Sequence, residues 1–253
     1  MAETLKQRGV YVTGVFNNDI VGNIHGGNDL IESTYVRVFS EAYAVNDTGK
    51  IFRERNMLGF ELDGPSRTLA RYIKDAAERY MNGFRVNLIF RRDRFLRGGD
   101  QTSFLQMGIP AVRFTEAKEN FRRQHQGIKK DSASWYGDIL EGFNAGYCKR
   151  IAQANLAALA SLASAPASPE QASIVNSELS YSTTLRWHVN HDGSVSGSYV
   201  LARPTDTPYW HTITFTSDTT MTVPFSKDDY IFGIQSVNPA GDRSLVVIPR
   251  PVR

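Results

Sequence analysis

Cysteine is nearly absent: Cys148 is the only one in 253 residues. No internal disulfide can form, and a cysteine-rich zinc site is excluded. Long apolar runs are missing as well. Nothing approaches the roughly 20 residues that a membrane-spanning helix needs, so the sequence predicts no membrane span. The opening stretch, MAETLKQRGV, is charged and amphipathic and has no apolar signal-peptide centre. Glutamates never stand as an adjacent pair. No histidine is followed two places later by aspartate: His25 precedes Gly26 and Gly27, and His191 is joined directly to Asp192.

Charge of neither sign dominates, since the formal net charge is +3, but it is unevenly spread. Residues 1–164 hold 23 Lys and Arg against 18 Asp and Glu, and the remainder holds 6 against 8. Arginines cluster in RRDRFLR (Arg91, Arg92, Arg94, Arg97) and at Arg122 and Arg123. Such a cluster fits an acidic or nucleic-acid partner, or a solvated rim with Asp93 inside it. No nucleic-acid motif accompanies it, so the rim is the favoured reading and no nucleic-acid partner is expected.

What is present divides the chain in two. The first part alternates strand and helix patterns. GVYVTGVFNN reads as a buried strand, β-branched and aromatic without the spacing of a helix face. DGPSRTLARYIKDAAERYMNG reads as a helix, with Asp63 or Ser66 as cap, Pro65 in the first turn and Gly83 past its end. Leu69, Tyr72, Ile73, Ala76 and Tyr80 fall on one face. FRVNLIFRRD is a strand, DQTSFLQMG a short helix, and IPAVRFTE a further strand. A long helix from about Trp135 to Leu162 is expected to turn Ile139, Leu140, Phe143, Tyr147 and Ile151 toward a core. This order predicts an α/β domain over 1–163, a partial and mostly parallel sheet flanked by helices. SLASAPASPEQAS then reads as a linker at 164–173. About seven short strands follow, separated by turns such as NHDGSVSG and NPAGDRS, and predict a small all-β sandwich over 174–253. Trp187 and Tyr230 are placed like core aromatics. This second segment resembles a fibronectin type III domain.

In an open parallel sheet, ligands gather at the carboxyl ends of the strands. Three loops there carry chemistry: Asn17-Asn18-Asp19, RGGDQTSF and TEAKENFRRQHQ. They could bring Asp19, Asp100, Glu116 and His125 to one rim, and carboxylates with an imidazole form a partial ligand set for zinc. Each residue also has a plain structural reading. Asp19 suits a turn or helix cap. His125 follows two arginines and suits the surface. Asp100 suits the cap of the next helix.

GVFNNDIVGN, followed some eighty residues later by RGGDQTSFLQMGIPAVRFTEAKENFRRQHQ, resembles the second half of the dizinc aminopeptidases, metallopeptidase family twenty-eight, relatives of the glutaminyl cyclases. GGDQTSF, MGIPAVRFTE and His125 match the family pattern in order and spacing, and the resemblance covers about residues 1–163. It implies that Asp19 and His125 are zinc ligands. Gln101 stands where the family often has histidine, so no catalytic role falls on it, and no catalytic residue is assigned. Asp131 stands where relatives commonly carry an aspartate; it either orients the His125 imidazole or caps the next helix with Ser132. Asp100, Glu116 and Asp131 are thus candidates to support the metal ligands or to face the substrate.

The family also needs an upstream His-x-Asp motif, a bridging aspartate and a Glu-Glu pair, one member of which is the general base. None is in this sequence. The expectation is a C-terminal portion of a zinc aminopeptidase that hydrolyses N-terminal residues from peptides and holds two zinc ions when intact. This chain alone is expected to bind zinc weakly and to be inactive. An open sheet edge would then call for self-association or a separately supplied N-terminal half. The relatives are mostly exported, which favours an exported protein. The contrasting expectation is a non-catalytic module that binds peptide, protein or glycan.

Overall fold

The computed structural model describes residues 1–27, 30–177, 180–189 and 193–252. His191 and Asp192 lie outside the described residues. The chain forms two compact units, Met1–Ala158 and Leu159–Arg253.

The first unit contains α1 (Ala2–Gln7), β1 (Val15–Asn18), β2 (Tyr35–Phe39), α2 (Gly49–Met57), α3 (Pro65–Tyr80), β3 (Arg85–Ile89), α4 (Gln101–Gln106) and β4 (Ala111–Glu116). A small hairpin, β5 (Lys129–Lys130) with β6 (Trp135–Tyr136), precedes α5 (Ala145–Ser164), whose last residues belong to the second unit. The main sheet has the order β1-β4-β2-β3. β1 runs parallel to β4 and β2 parallel to β3, but β2 runs antiparallel to β4. Two of its three pairings are parallel, so the sheet is mostly parallel, with one antiparallel joint where the two parallel pairs meet. The joining strand is β2, YVRVF, an element the sequence pattern did not predict; Arg37 interrupts its short apolar run. Val36 and Val38 face the core while Arg37 is only half-buried.

α3 supplies the main helical cover. Leu69, Tyr72, Ile73 and Ala76 are buried along one side, as the 3.6-residue spacing demands. Tyr80, expected on that face, is exposed in the last turn. Pro65 occupies the first turn, where its missing N–H costs nothing. The cap position is Gly64, not Asp63 or Ser66. A Cβ at Gly64 would stand 1.8 Å from the Ala42 carbonyl oxygen, so the close approach of backbone excludes any side chain. Asp63 instead pairs with Arg71 at 2.7 Å.

Two expected elements are shorter than their apolar patterns. β1 starts at Val15; Tyr11 is 88% exposed and Val10 is also outside the core. The helix expected from Trp135 starts at Ala145. Leu140 is 81% exposed in a short 3₁₀ turn and Phe143 is half-exposed, while Tyr147 and Ile151 are buried as foreseen.

The second unit packs two sheets, β10-β9-β12 and β11-β8-β7-β13. Its strands are β7 (Glu170–Val175), β8 (Thr183–His188), β9 (Gly197–Pro204), β10 (Thr212–Thr216), β11 (Thr220–Val223), β12 (Tyr230–Val237) and β13 (Arg250–Val252). All pairings are antiparallel except β7 with β13. Inward residues of both sheets, Leu185, Trp187, Val200, Ala202, Val223, Phe232 and Ile234, form one core, with Tyr230 against it. The Trp187 indole N–H donates to Ser198 Oγ at 2.9 Å, which satisfies its polar end. β7 begins at Glu170, so a strand occupies part of the stretch read as linker.

Candidate metal and substrate cleft

β4 is a central strand in which all six residues are buried, among them Arg113, Thr115 and Glu116. Burying a guanidinium and a carboxyl in a sheet is costly unless each finds partners. Arg113 has no exposed surface. Its Nη1 donates to both oxygens of Asp93, at 3.1 and 3.0 Å, and to the Gly98 carbonyl at 3.1 Å. Its Nη2 lies 3.1 Å from Asp19 Oδ2. The Gln101 amide donates to Asp93 Oδ2 and accepts from Asn17 Nδ2 at 2.7 Å. Asn17, Gln101, Asp93, Arg113 and Asp19 thus form one polar chain from β1 through α4 and β4 to the strand end. Burial pushes the Asp93 carboxyl up, but the Arg94 N–H, the Gln101 amide and the Arg113 guanidinium outweigh it and hold it below its ordinary value. Asp93 is therefore an interior anchor, not part of a solvated rim.

Gly99 makes this contact possible. A Cβ there would stand 2.6 Å from Gln101 Oε1 and 2.8 Å from Arg113 Nη1. That is the physical role of the second glycine in RGGD. Asn18, the other amide before Asp19, exchanges two 3.1 Å hydrogen bonds with Asn155 of α5. The end of β1 is therefore clamped on both sides, and Asp19 N–H continues the pairing by donating to the Phe114 carbonyl.

A cleft of about 570 Å³ opens beyond these strand ends, lined in part by Asp19, Asn23, Glu116, His125 and Asp138. Asp19 keeps 40% of its side chain exposed there. Glu116 is buried and accepts from Asn23 N–H at 3.1 Å and Asn23 Nδ2 at 3.4 Å. Burial raises its pKa to about 7, and the Asn23 bonds only partly offset that. His125 is exposed and stands in the left-handed region at φ 54°. It follows the 3₁₀ turn Phe121–Arg123, capped by Asn120, whose side chain accepts from Arg122 N–H. Asp138, an exposed carboxylate in the same cleft, was not singled out in the sequence; the YGD turn after β6 carries it.

Asp19, Glu116 and His125 thus share a cleft, while Asp100 and Asp131 are not among its lining residues. Asp100 is exposed at the cap position of α4, and its side chain makes no cap hydrogen bond. Among the described residues, Asp131 caps no helix and its hydrogen bonds are within its own hairpin. Its Oδ1 accepts from Ala133 and Ser134 N–H at 2.9 and 2.7 Å and closes the β5–β6 turn. These two backbone donors hold its carboxyl below the ordinary value. The RGGD loop also arrives by an unforeseen route. Because β3 runs antiparallel to β4, its carboxyl end lies at the opposite edge from Asp19. Residues 91–99 cross back, held by Arg113 to the Gly98 carbonyl and by Arg94 Nη1 to Glu119 Oε2 at 2.9 Å.

Zinc fits these residues only in part. Asp19 offers one oxygen donor, already beside a guanidinium, and His125 one nitrogen. A catalytic zinc takes three protein ligands and a water. Among the described residues, no three His, Cys, Asp or Glu side chains come together to hold an ion. Among the described residues, Asp19 and His125 by themselves supply fewer protein ligands than a catalytic zinc takes.

No family profile matches the chain. Curated relatives do. A probable zinc metalloprotease of Leptosphaeria maculans is 36% identical over 99% of this chain and 58% of its own length. One from Pyrenophora tritici-repentis is 36% identical over 99% of this chain and 53% of its own. One from Pyricularia oryzae is 37% identical over 99% and 51%. Among solved structures, a fibronectin-III-like protein of Clostridium thermocellum covers 35% of this chain and 96% of its own, with 19% identity and a TM-score of 0.29. Among the described residues, no helix is long and apolar enough to cross a membrane. The curated relatives are zinc metalloproteases by name, and the chain spans about half of their length.

Proposed function

We propose that this chain is the C-terminal portion of a zinc-dependent aminopeptidase of family twenty-eight, with a fibronectin type III-like unit behind it. The observation that carries the reading is the meeting of Asp19, at the end of β1, with Glu116 and His125, from the end of β4 and the segment after it, in one cleft. Asp19 and His125 are the metal donors that this chain contributes, and Glu116 faces the substrate. The other donors and the general base come from outside these residues. Zinc, where fully held, supplies a polarised water as nucleophile; the incomplete donor set here means that no hydrolytic step is assigned to this chain alone.

The test is metal content and hydrolysis measured together. The purified chain, dialysed against zinc, is expected to hold well under one ion per molecule and to leave leucine p-nitroanilide uncleaved. A longer polypeptide with the preceding half of a relative joined in frame is expected to cleave it, to stop on chelation, and to lose at least 100-fold with Asp19→Ala. Chelator-sensitive cleavage by the short chain would overturn the assignment of missing donors. One observation favours a second reading, a non-catalytic peptide-binding module: Arg113 already occupies an oxygen of Asp19. Under that reading the joined polypeptide stays inactive.

A further inference from the structure

A second cleft, of about 620 Å³, lies beside the first and shares Arg94 with it. Its walls come from β2, the end of β3, the crossing segment and the loop after β4. Arg37, Arg91, Arg94 and Arg97 line it, with a single acid, Glu119. The arginines are stacked on the phenylalanines of the same cleft: Arg37 over Phe39 at 5.4 Å, Arg91 over Phe95 at 5.4 Å and Arg97 over Phe121 at 5.3 Å. Phe95 and Phe121 are themselves well exposed. A guanidinium over a ring keeps its N–H edges for an acceptor in the guanidinium's own plane.

The arginines divide into two pairs. Arg37 and Arg94 converge on Glu119, at 2.7 and 2.9 Å, and Gln124 adds a third donor at 3.1 Å. Burial raises the Glu119 carboxyl, but these donors outweigh it and hold it below its ordinary value, so it stays ionised. Arg91 and Arg97 have no carboxylate within ion-pair distance among the described residues; Arg97 donates only to Gln124 Oε1, at 2.7 Å. The cleft therefore presents two cations with free donor capacity, set among exposed rings, around a fixed negative charge. Separate carboxylates spaced by apolar side chains would meet Arg91 and Arg97 as bidentate partners and the rings as contact area.

We propose that this arginine–phenylalanine cleft binds acidic, aromatic-containing peptide segments and selects peptides with acidic residues downstream of the end held in the Asp19 cleft. The selection clause rests on the peptidase reading; the binding itself does not, because no metal and no residue of the Asp19 donor set takes part.

Anisotropy of a C-terminally labelled peptide, Ala-Phe-Asp-Glu-Phe-Asp, on the full chain in the presence of a chelator tests it. The acidic peptide is expected to bind at least tenfold more tightly than its Asn/Gln counterpart. Arg91→Gln with Arg97→Gln is expected to remove that preference while Asp19→Ala keeps it. Both arginines are exposed and free of ion pairs, so the double variant is expected to melt at the wild-type temperature. Equal affinity for the two peptides, or a preference that survives the double variant, overturns the proposal. So does displacement of the peptide by an oligonucleotide of equal charge at equal concentration, which would make the cleft a general polyanion surface. Loss of hydrolysis in the longer polypeptide bears only on the peptidase reading, since the binding signal is read without metal.

Discussion

Glu116 and Arg113 share a strand, and the sheet treats their charges in opposite ways. Arg113 is paired, with Asp93 and Asp19 standing on two sides of it. Glu116 has only amide donors, so burial dominates and its pKa rises to about 7. The sign follows from linkage: the folded protein holds this proton more tightly than the unfolded chain does. The stabilisation is fully present below the ordinary value of 4.5 and is lost as pH rises toward 7. The gap corresponds to about 3 kcal/mol at most, at 1.36 kcal/mol per pKa unit. Asp93 and Glu119 are shifted downward, so their contributions are lost on acidification below their ordinary values, in a separate window. The urea midpoint of the wild type is therefore expected to fall between pH 5 and pH 8 by more than that of Glu116→Gln, which cannot ionise. Parallel pH profiles for the two proteins would assign the slope to other groups.

Element by element, α5 shows how docking is specified. The Tyr147 hydroxyl donates to the Tyr35 carbonyl at 2.7 Å and accepts from Ala117 N–H at 3.0 Å, tying the helix to both β2 and the end of β4. Tyr147→Phe leaves two buried backbone groups unpaired and is expected to cost about 1–3 kcal/mol, read as a lower denaturant midpoint with unchanged slope. A midpoint equal to wild type would mean that water replaces the hydroxyl. Tyr147 and Ile151 were legible from spacing alone, as were α3, β3, α4 and β4, because each carries its own periodicity. The start of α5 was not: Leu140 and Phe143 continue the apolar spacing, yet the chain there is a 3₁₀ turn. Phe143 instead packs close to Gly22, where an added Cβ would stand 2.6 Å from its ring. The candidate site divides similarly. Asp19, Glu116 and His125 could be read from motif order, since they stand at the end of a strand or in the segment after one. The Asn17–Gln101–Asp93–Arg113 chain could not, because it depends on β3 running against β4 and on the loop that crosses back. Neither leaves a periodic trace. A buried arginine in AVRFTE was the available hint.

For the whole molecule, the physical question is whether the two units stand on separate cores. The second unit draws the buried centre of its core from β8, β9, β11 and β12, with Ala172 and Ile174 of β7 packed against it, and its polar interior is closed locally. Thr183 Oγ1 donates to the Phe225 carbonyl at 2.7 Å, and Gln235 Nε2 donates to the Ser244 carbonyl at 2.6 Å. Seven strands around one core are enough for independent folding at this size. A fragment of residues 165–253 is therefore expected to unfold cooperatively on its own, with Trp187 fluorescence reporting burial. In the intact chain, calorimetry is expected to resolve two transitions. Phe232→Ala, which empties the middle of the sandwich, is expected to destabilise one of them by about 3–5 kcal/mol and to leave the other in place. The Glu116 dependence on pH should then appear in the transition that Phe232→Ala does not move. If both transitions shift with the one substitution, the units share their stability, and the first unit cannot be studied apart from the second.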